Sequence, residues 1–359
     1  MSFPAYVIST RVRIARNLRQ YPFPDKATGL QRQEVLERVC HALQKKSCGQ
    51  ESALLLLDRL NALERKILEE EQLISHLSAT SVRSAAVIAL KTQKLSVLVN
   101  EEDHLRIQAL VPGLALRICC RAARRLERCL HGLLPFAYSE ADGYLTTCPQ
   151  NTGSGIRISV MMFLPGLTML GKLIPLLKSF VQAGCSIRGA YGEGSRAEGY
   201  RVQLSMPVPY TQTLHASAER CRRYCLQLIQ YERMARISLV RGPVKLFHWR
   251  VRRVRRQLCQ AGSLSLANAL HIIALCRLCV CIGFHPLTLR RTFFSGPVRM
   301  RHLYGFDRLS RRIQTAHIRH AQLQERHRAH SGIQVKGDDE FRARVLREGI
   351  ATIMRTEIA

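Results

Sequence analysis

Four short stretches of this 359-residue chain combine arginine, carboxylate and glycine in a way that a hydrophobic core does not need. They are Ser9-Thr10-Arg11-Val12-Arg13; Asn100-Glu101-Glu102-Asp103-His104-Leu105-Arg106; Thr147-Cys148-Pro149-Gln150-Asn151-Thr152-Gly153-Ser154-Gly155-Ile156-Arg157; and Arg188-Gly189-Ala190-Tyr191-Gly192-Glu193-Gly194. Arg11 and Arg13 are two apart, so on a strand they share a face and can fork onto one polyphosphate. Taken alone, the pair reads more simply as the solvated edge of a basic protein. Three consecutive acids after an apolar run suit a cation or a guanidinium, and suit a plain solvent loop equally well. The Cys148–Gly155 stretch allows close backbone approach, or serves as a simple hairpin connection. Three glycines around Tyr191 and Glu193 make a flexible loop with one acid. Neither a GxxxxGK[ST] loop nor a GxGxxG turn occurs, so the two commonest nucleotide signatures are missing.

These stretches need a scaffold, and hydrophobic periodicity supplies one. Helical spacing covers Leu30–Lys46, Asn61–Leu73, Leu114–Leu130, Thr168–Ala183 and a long stretch from Thr211 to Arg236. Short apolar runs at Ala85–Leu90, Leu95–Asn100 and Leu105–Val111 predict an antiparallel meander, with a further strand at Ile156–Leu164 and short ones near Ser186 and Tyr200. After Gly242-Pro243 the chain reads almost entirely as helix, with breaks at 261–263, 283–286 and 331–332. The domain boundary is expected near 237–244, which agrees with the two domains that the length suggests.

Composition narrows the classes further. Lys and Arg number 55 against 26 Asp and Glu, a formal charge of +29, and 45 of the 55 are arginine. Such a field favours polyanions, although drift toward arginine would produce scattered charges too. Thirteen cysteines, an odd count, argue against a disulfide framework, and no basic start followed by an apolar run marks a secretory signal. The chain is expected in the cytoplasm. Leu264–Phe284 is interrupted by His271 and Arg277 and reads as a buried helix, not a membrane span. Cys276, Cys279 and Cys281 in that helix read as buried thiols rather than metal ligands. The eight histidines of 241–359 lack acidic or cysteine partners at ligand spacing and read as surface or helix-capping groups. The run Arg250-Val251-Arg252-Arg253-Val254-Arg255-Arg256 prompts nucleic-acid binding, but aromatics are only 6% and no reader motif is interleaved.

Taken together and in order, the four stretches resemble the blocks of the phosphagen (ATP:guanido) kinase catalytic domain, and among those enzymes the bacterial protein-arginine kinase branch. The strings STRVR and ARN, VNEEDHLRIQ, CPQNTGSGIRISVM and IRGAYGEGS carry the match over residues 5–235, and it continues more faintly through the last third. The resemblance implies an α/β chain of the α+β kind. Residues 1–240 would form a catalytic domain with a largely antiparallel sheet flanked by helices. Residues 241–359 would form an all-α domain used in the family for dimerisation and phosphoarginine sensing.

The resemblance assigns ATP, with Mg²⁺ bridging its oxygens, to Ser9, Thr10, Arg11, Val12 and Arg13, to Gln72 and Arg106, to Arg157, Ile158, Ser159, Val160 and Met161, and to Arg188, Gly189, Ala190, Tyr191, Gly192 and Glu193. Glu102 and Glu193 would hold the acceptor guanidinium, and Cys148 would tune the acceptor site. Only eight residues precede Ser9, where small-molecule phosphagen kinases carry a helical domain of about one hundred residues. Met161 stands where those enzymes usually have histidine. Both features favour arginine on a protein as acceptor, with a zinc-finger activator, Clp-type protease machinery and a second copy of the chain as partners. A small-molecule guanidino kinase and a catalytically weakened adaptor are the alternatives.

Two departures from the family pattern stand out. Gln72 replaces a histidine that touches nucleotide, so weaker ATP contact is expected. Asp338-Asp339-Glu340-Phe341-Arg342-Ala343 stands where the family's phosphoarginine pocket has RDxxRA, and an acid in the leading position opposes a dianion.

Overall fold

A computed structural model describes residues 3–45, 52–80, 84–90, 94–189, 198–241, 245–329 and 337–355. Its strands are β1 (Val7–Arg16), β2 (Ser52–Leu56), β3 (Ala86–Leu90), β4 (Leu95–Val99), β5 (Leu105–Pro112), β6 (Tyr138–Ser139), β7 (Gly143–Tyr144), β8 (Ile156–Phe163), β9 (Ser186–Arg188) and β10 (Arg201–Pro207). Helices α1 (Gly29–Lys45), α2 (Ala62–Glu70), α3 (His76–Thr80), α4 (Leu116–His131), α5 (Pro165–Met169), α6 (Leu173–Gln182) and α7 (Leu214–Arg241) accompany them. The rest is helical: α8 (Lys245–Gln260), α9 (Leu266–Cys281), α10 (Gly296–Arg312), α11 (Thr315–Ala329) and α12 (Asp338–Arg355).

Eight strands form one sheet in the order β2-β3-β4-β5-β1-β8-β10-β9, antiparallel at every step. β1, the first strand in sequence, therefore lies in the middle, hydrogen-bonded to β5 and β8. Alternation along β1 sends Thr10, Val12, Ile14 and Arg16 to one face and Ser9, Arg11, Arg13 and Ala15 to the other. On the first face Val12, Ile14, Ile107, Ile158 and Val160 are fully buried beneath α4 and α7. Truncating any of the larger ones to alanine would cost about 2–4 kcal/mol through lost transfer energy and the cavity left behind.

A second core gathers Phe247, Val251, Leu258, Leu303, Phe306 and Leu346 from the last third, and reaches back to Ala5, Phe163 and Tyr200. Arg277 on α9 ties the two together, donating to the Pro4 carbonyl at 2.6 Å and pairing with Asp307 at 2.7 Å. α9 is buried almost all round, so its apolar run is a central core helix, and no described helix is long and apolar enough to cross a membrane. Burial pushes the Cys276 thiol up to about 12, and Cys279 also rises well above the ordinary value, as inert core thiols do. Eleven described cysteines are free, and Cys129 is disulfide-bonded.

Periodicity locates most elements but not the central strand β1, nor the short ones. The expected helix 168–183 is two helices, α5 and α6, separated at Gly171, whose φ is +69°. The edge strand β2 and the two-residue strands β6 and β7 are too short or too irregular in pattern to stand out. α7 runs on to Arg241, five residues past the expected end.

Candidate active site

The exposed face of β1 carries Arg11 and Arg13, and strand register decides what joins them. Arg13 lies directly opposite Arg157 on β8 and Gln108 on β5, and Arg106 lies opposite Ala15. Arg11 lies opposite Ser159, Ser9 opposite Met161, and Arg188 on β9 opposite Gln203. Because directly paired residues share a face, five arginines separated by up to 177 positions in sequence converge on one surface. Arg11 donates to Gln203 Oε1 at 3.1 Å, and Arg157 to Ser186 Oγ at 2.6 Å. Ser205 Oγ donates to Ser159 Oγ at 3.0 Å, which fixes the floor. A cleft of about 160 Å³ opens here, lined by Arg13, Arg106, Arg157, Arg188, Glu102 and Asn151 among others.

Electrostatically this surface is unfinished. Burial, followed by repulsion from Arg106, Arg188 and Arg157, lowers the Arg11 guanidinium to about 10. Burial and then Arg11, Arg106, Arg157 and Arg188 bring Arg13 to about 9. Arg157 is lowered by burial and by Arg188. Among the described residues only Arg106 has a carboxylate partner in this group, Glu101 at 2.6 Å, and even so its buried Nε has no hydrogen-bond acceptor. Like charges held close, half-desolvated and short of counter-ions make a surface that a polyanion would complete.

The three acids of the turn after β4 have separate fates. Glu101 pairs with Arg106. Asp103 is buried and accepts from Asn17 Nδ2 at 2.7 Å and the Thr147 amide at 2.8 Å, so it staples the end of β1 and the loop before Cys148 onto the turn. His104 accepts from the Leu18 amide at Nδ1 and donates from Nε2 to the Pro22 carbonyl; burial lowers it to about 4, which keeps it neutral. Glu102 alone of the three is left with no carboxylate hydrogen bond or ion pair among the described residues, and it faces the cleft. Burial first, then Asp103 and Glu101, raise its carboxyl above the ordinary range, against the opposing pull of Arg106 and Arg13.

Arg16 carries no sign of its role beyond its place in the ARN string, and the structure makes it the bracket of the Cys148–Gly155 loop. It is fully buried, pairs with Glu127 at 2.9 Å, lies 3.5 Å over the Tyr144 ring, and donates to the Ser154 carbonyl at 2.9 Å. Gly155, at φ +63°, passes so close that an added Cβ would fall 2.6 Å from Arg16 Nη1 and 2.7 Å from the Ala15 carbonyl. The glycine is a requirement of this packing. Cys148 sits half-buried in the same loop, near Arg157.

Gln72 reaches the site through its backbone. It adopts φ +64°, and its carbonyl accepts from Gln108 Nε2 at 2.9 Å, beside Arg13. The turn is gripped from the helical region: the Glu70 carboxylate accepts from the Ala316 and His317 amides and from His317 Nδ1 at 2.8 Å. α11 has no acid in its own first turn, so Glu70 supplies the negative end-cap from outside. His317 thus clamps the start of α11 to the end of α2, and no group of three metal-ligating side chains occurs among the described residues.

The expected nucleotide residues divide. Ser9, Arg11, Arg13, Arg106, Arg157, Ser159, Met161 and Arg188 share the arginine face. Thr10, Val12, Ile158 and Val160 turn their side chains to the opposite face, where Thr10 Oγ1 donates to the Gly113 carbonyl and the others fill the core. Gly189, at φ +85°, follows Arg188 in a conformation that excludes side chains. Ala190, Tyr191, Gly192 and Glu193 lie outside the described residues. In the 338–343 stretch Arg342 is buried and consumed internally by the Ile313 and Leu264 carbonyls and Asp339.

Comparison with known proteins gives the family. The profile described as "ATP:guanido phosphotransferase, C-terminal catalytic domain" matches residues 34–235, a span that starts after β1. A protein-arginine kinase of Brevibacillus brevis is 40% identical over 236 residues, covering 65% of this chain and 66% of that protein. One from Desulforamulus reducens is 35% identical over 77% of this chain and 78% of its own. One from Caldanaerobacter subterraneus is 32% identical over 84% and 91% respectively. Among solved structures, lombricine kinase superposes with a TM-score of 0.55 at 22% identity, covering 67% of this chain and 68% of that one. The duplicated taurocyamine kinase of Schistosoma mansoni with bound transition-state analogue components reaches 0.58 at 24%, covering 67% and 35%. This chain belongs to the ATP:guanido phosphotransferase family.

Proposed function

We propose that the chain transfers the γ-phosphoryl group of ATP to arginine side chains of proteins. The observation that carries the reading is the five-arginine face with one unpaired carboxylate, Glu102, at its edge. Arg11, Arg13, Arg106, Arg157 and Arg188 fit a triphosphate: their guanidiniums are short of counter-charge, and the buried Arg106 Nε lacks an acceptor. Mg²⁺ would arrive with the nucleotide and neutralise part of its charge. An acceptor guanidinium is a weak, cationic nucleophile, so it must lose a proton as its nitrogen bonds to phosphorus and the β,γ-bridging oxygen leaves with ADP. Glu102 is the base this chain offers, and its raised proton affinity suits the task. Glu193 is assigned the second grip on the acceptor, and Cys148 the tuning of that side. Fixed arginines and a fixed carboxylate act chiefly by positioning and by stabilising transferred charge.

Protein arginine is favoured as acceptor because the curated relatives bear the name protein-arginine kinase. On this reading residues 1–240 are the catalytic part and 241–359 the helical part. The chain works in the cytoplasm as a homodimer, with a zinc-finger activator, and marks proteins for a Clp-type protease. The internal use of Arg342 favours weakened phosphoarginine sensing, and with Gln72 motivates the adaptor as second reading.

The test is acid-labile phosphate on arginine of a denatured basic protein. Glu102→Gln should lower transfer at least about a thousandfold, near 4 kcal/mol of transition-state stabilisation, with the melting temperature unchanged. In the wild type the acid limb of kcat/KM should lie at higher pH than an ordinary glutamate gives, because the base must be ionised and its pKa is raised. Transfer that survives both Glu102→Ala and Glu193→Ala would refute the assignment.

A further inference from the structure

The run from Arg250 to Arg256 is untouched by the reaction above. It lies on α8, whose inward residues Phe247, Val251, Val254 and Leu258 are buried in the helical core. The helix contains no acid, and among the described residues none of Arg250, Arg252, Arg253, Arg255 and Arg256 pairs with a carboxylate. Arginines of the helical core behave differently: Arg277 and Arg342 each have an aspartate.

Where α8 meets α9 a cleft of about 340 Å³ is lined by Trp249, Arg250, Arg253, Gln257, Asn268 and His271, with Val254 at its base. Trp249, the chain's single tryptophan, is 55% exposed, and the Arg253 guanidinium lies 5.5 Å from its ring centre. Arg250 lies close enough to Tyr200 for its charge to act on the hydroxyl, and the Tyr200 ring lies 5.4 Å from that of His271. Burial, then Arg250 and Arg253, hold His271 below the ordinary histidine range, so it stays a neutral imidazole at pH 7. The lining therefore offers two guanidiniums, two carboxamides, an imidazole and an indole face, with no carboxylate. Residues 338–343 take no part in it.

We propose that this cleft is a second anion site, which binds a small phosphate monoester through Arg250 and Arg253 beside Trp249. Two uncompensated guanidinium forks match the oxygens of one dianion. The cleft falls within the ordinary size of small-ligand sites, and the flat indole can cover the organic part of the ester. A nucleic acid is the poorer fit, because Trp249 stands without further exposed aromatics along α8 on which successive bases could stack.

The lone tryptophan makes the test direct. The full chain is titrated with inorganic phosphate and with O-phosphoserine at constant ionic strength while Trp249 fluorescence is followed. A saturable change is expected, with half-saturation raised about tenfold or more in Arg253→Gln, whose side chain is exposed and whose loss should not unfold the protein. The same titration should be unchanged in Arg13→Gln, which separates this cleft from the arginine face. A change that chloride reproduces, one indifferent to Arg253→Gln, or one produced only by a single-stranded oligonucleotide would overturn the proposal.

Discussion

Two kinds of arginine divide this molecule. Beneath the sheet and between its parts, Arg16, Arg236, Arg277 and Arg342 are almost wholly buried, and each is matched by a carboxylate and by backbone carbonyls. On the open face of the sheet Arg11, Arg13, Arg157 and Arg188 share one carboxylate-poor surface, where burial and then repulsion from neighbouring arginines lower Arg11, Arg13 and Arg157. The residue type is identical; the difference is whether the fold itself supplies a counter-charge. Where it does, the guanidinium is a girder. Where it does not, the deficit is available to a ligand, at a cost in self-repulsion that binding would relieve.

The comparison is most exposed to failure at Arg16. Arg16→Gln should leave Glu127 buried with only the part-exposed Arg124 as its cation, free the Ser154 carbonyl, and lower unfolding stability by about 3 kcal/mol, read from urea midpoints. Arg13→Gln should do the reverse. Transfer measured as kcat/KM for ATP should fall by about 3 kcal/mol, on the order of a hundredfold or more, while stability holds or rises because a repelled charge is gone. Equal stability losses at both positions would erase the distinction between them.

His104 sharpens the contrast from the acid turn. Its pKa is about 4 in the fold against an ordinary 6.5, so the unfolded chain binds the extra proton first. Stability is fully present above the ordinary value and should fall by up to about 3 kcal/mol as pH drops from 6.5 to 4, a slope that His104→Gln should flatten. The smallest effect is expected at the clamp: His317→Ala should cost about 1–2 kcal/mol, seen as an earlier thermal transition, because the imidazole loses its bond to Glu70 and its 3.6 Å contact with Glu71 while Glu70 keeps the backbone amides of α11.

The site was unevenly legible in advance. Arg11 and Arg13 on one face follows from a two-residue spacing on a strand, and the meander β3-β4-β5 follows from three apolar runs. Thr10, Val12, Ile158 and Val160 lie in the same strings as the nucleotide arginines, yet the pleat turns their side chains away. Arg16 gave no local sign of its role, since its partner Glu127 is 111 residues distant. Likewise, nothing in Glu101-Glu102-Asp103 distinguishes the free acid from its neighbours until Arg106, Asn17 and Thr147 have claimed the other two.

By itself the sequence determined the family, the strand periods, the excess of arginine and the strings that hold the reactive groups, because these are properties of neighbouring residues. Tertiary structure alone decided which arginines meet across β5, β1, β8 and β9, which acid is left unpaired, and which guanidiniums are spent on carbonyls. Those outcomes depend on register and burial, and both arise only when segments distant along the chain are packed together.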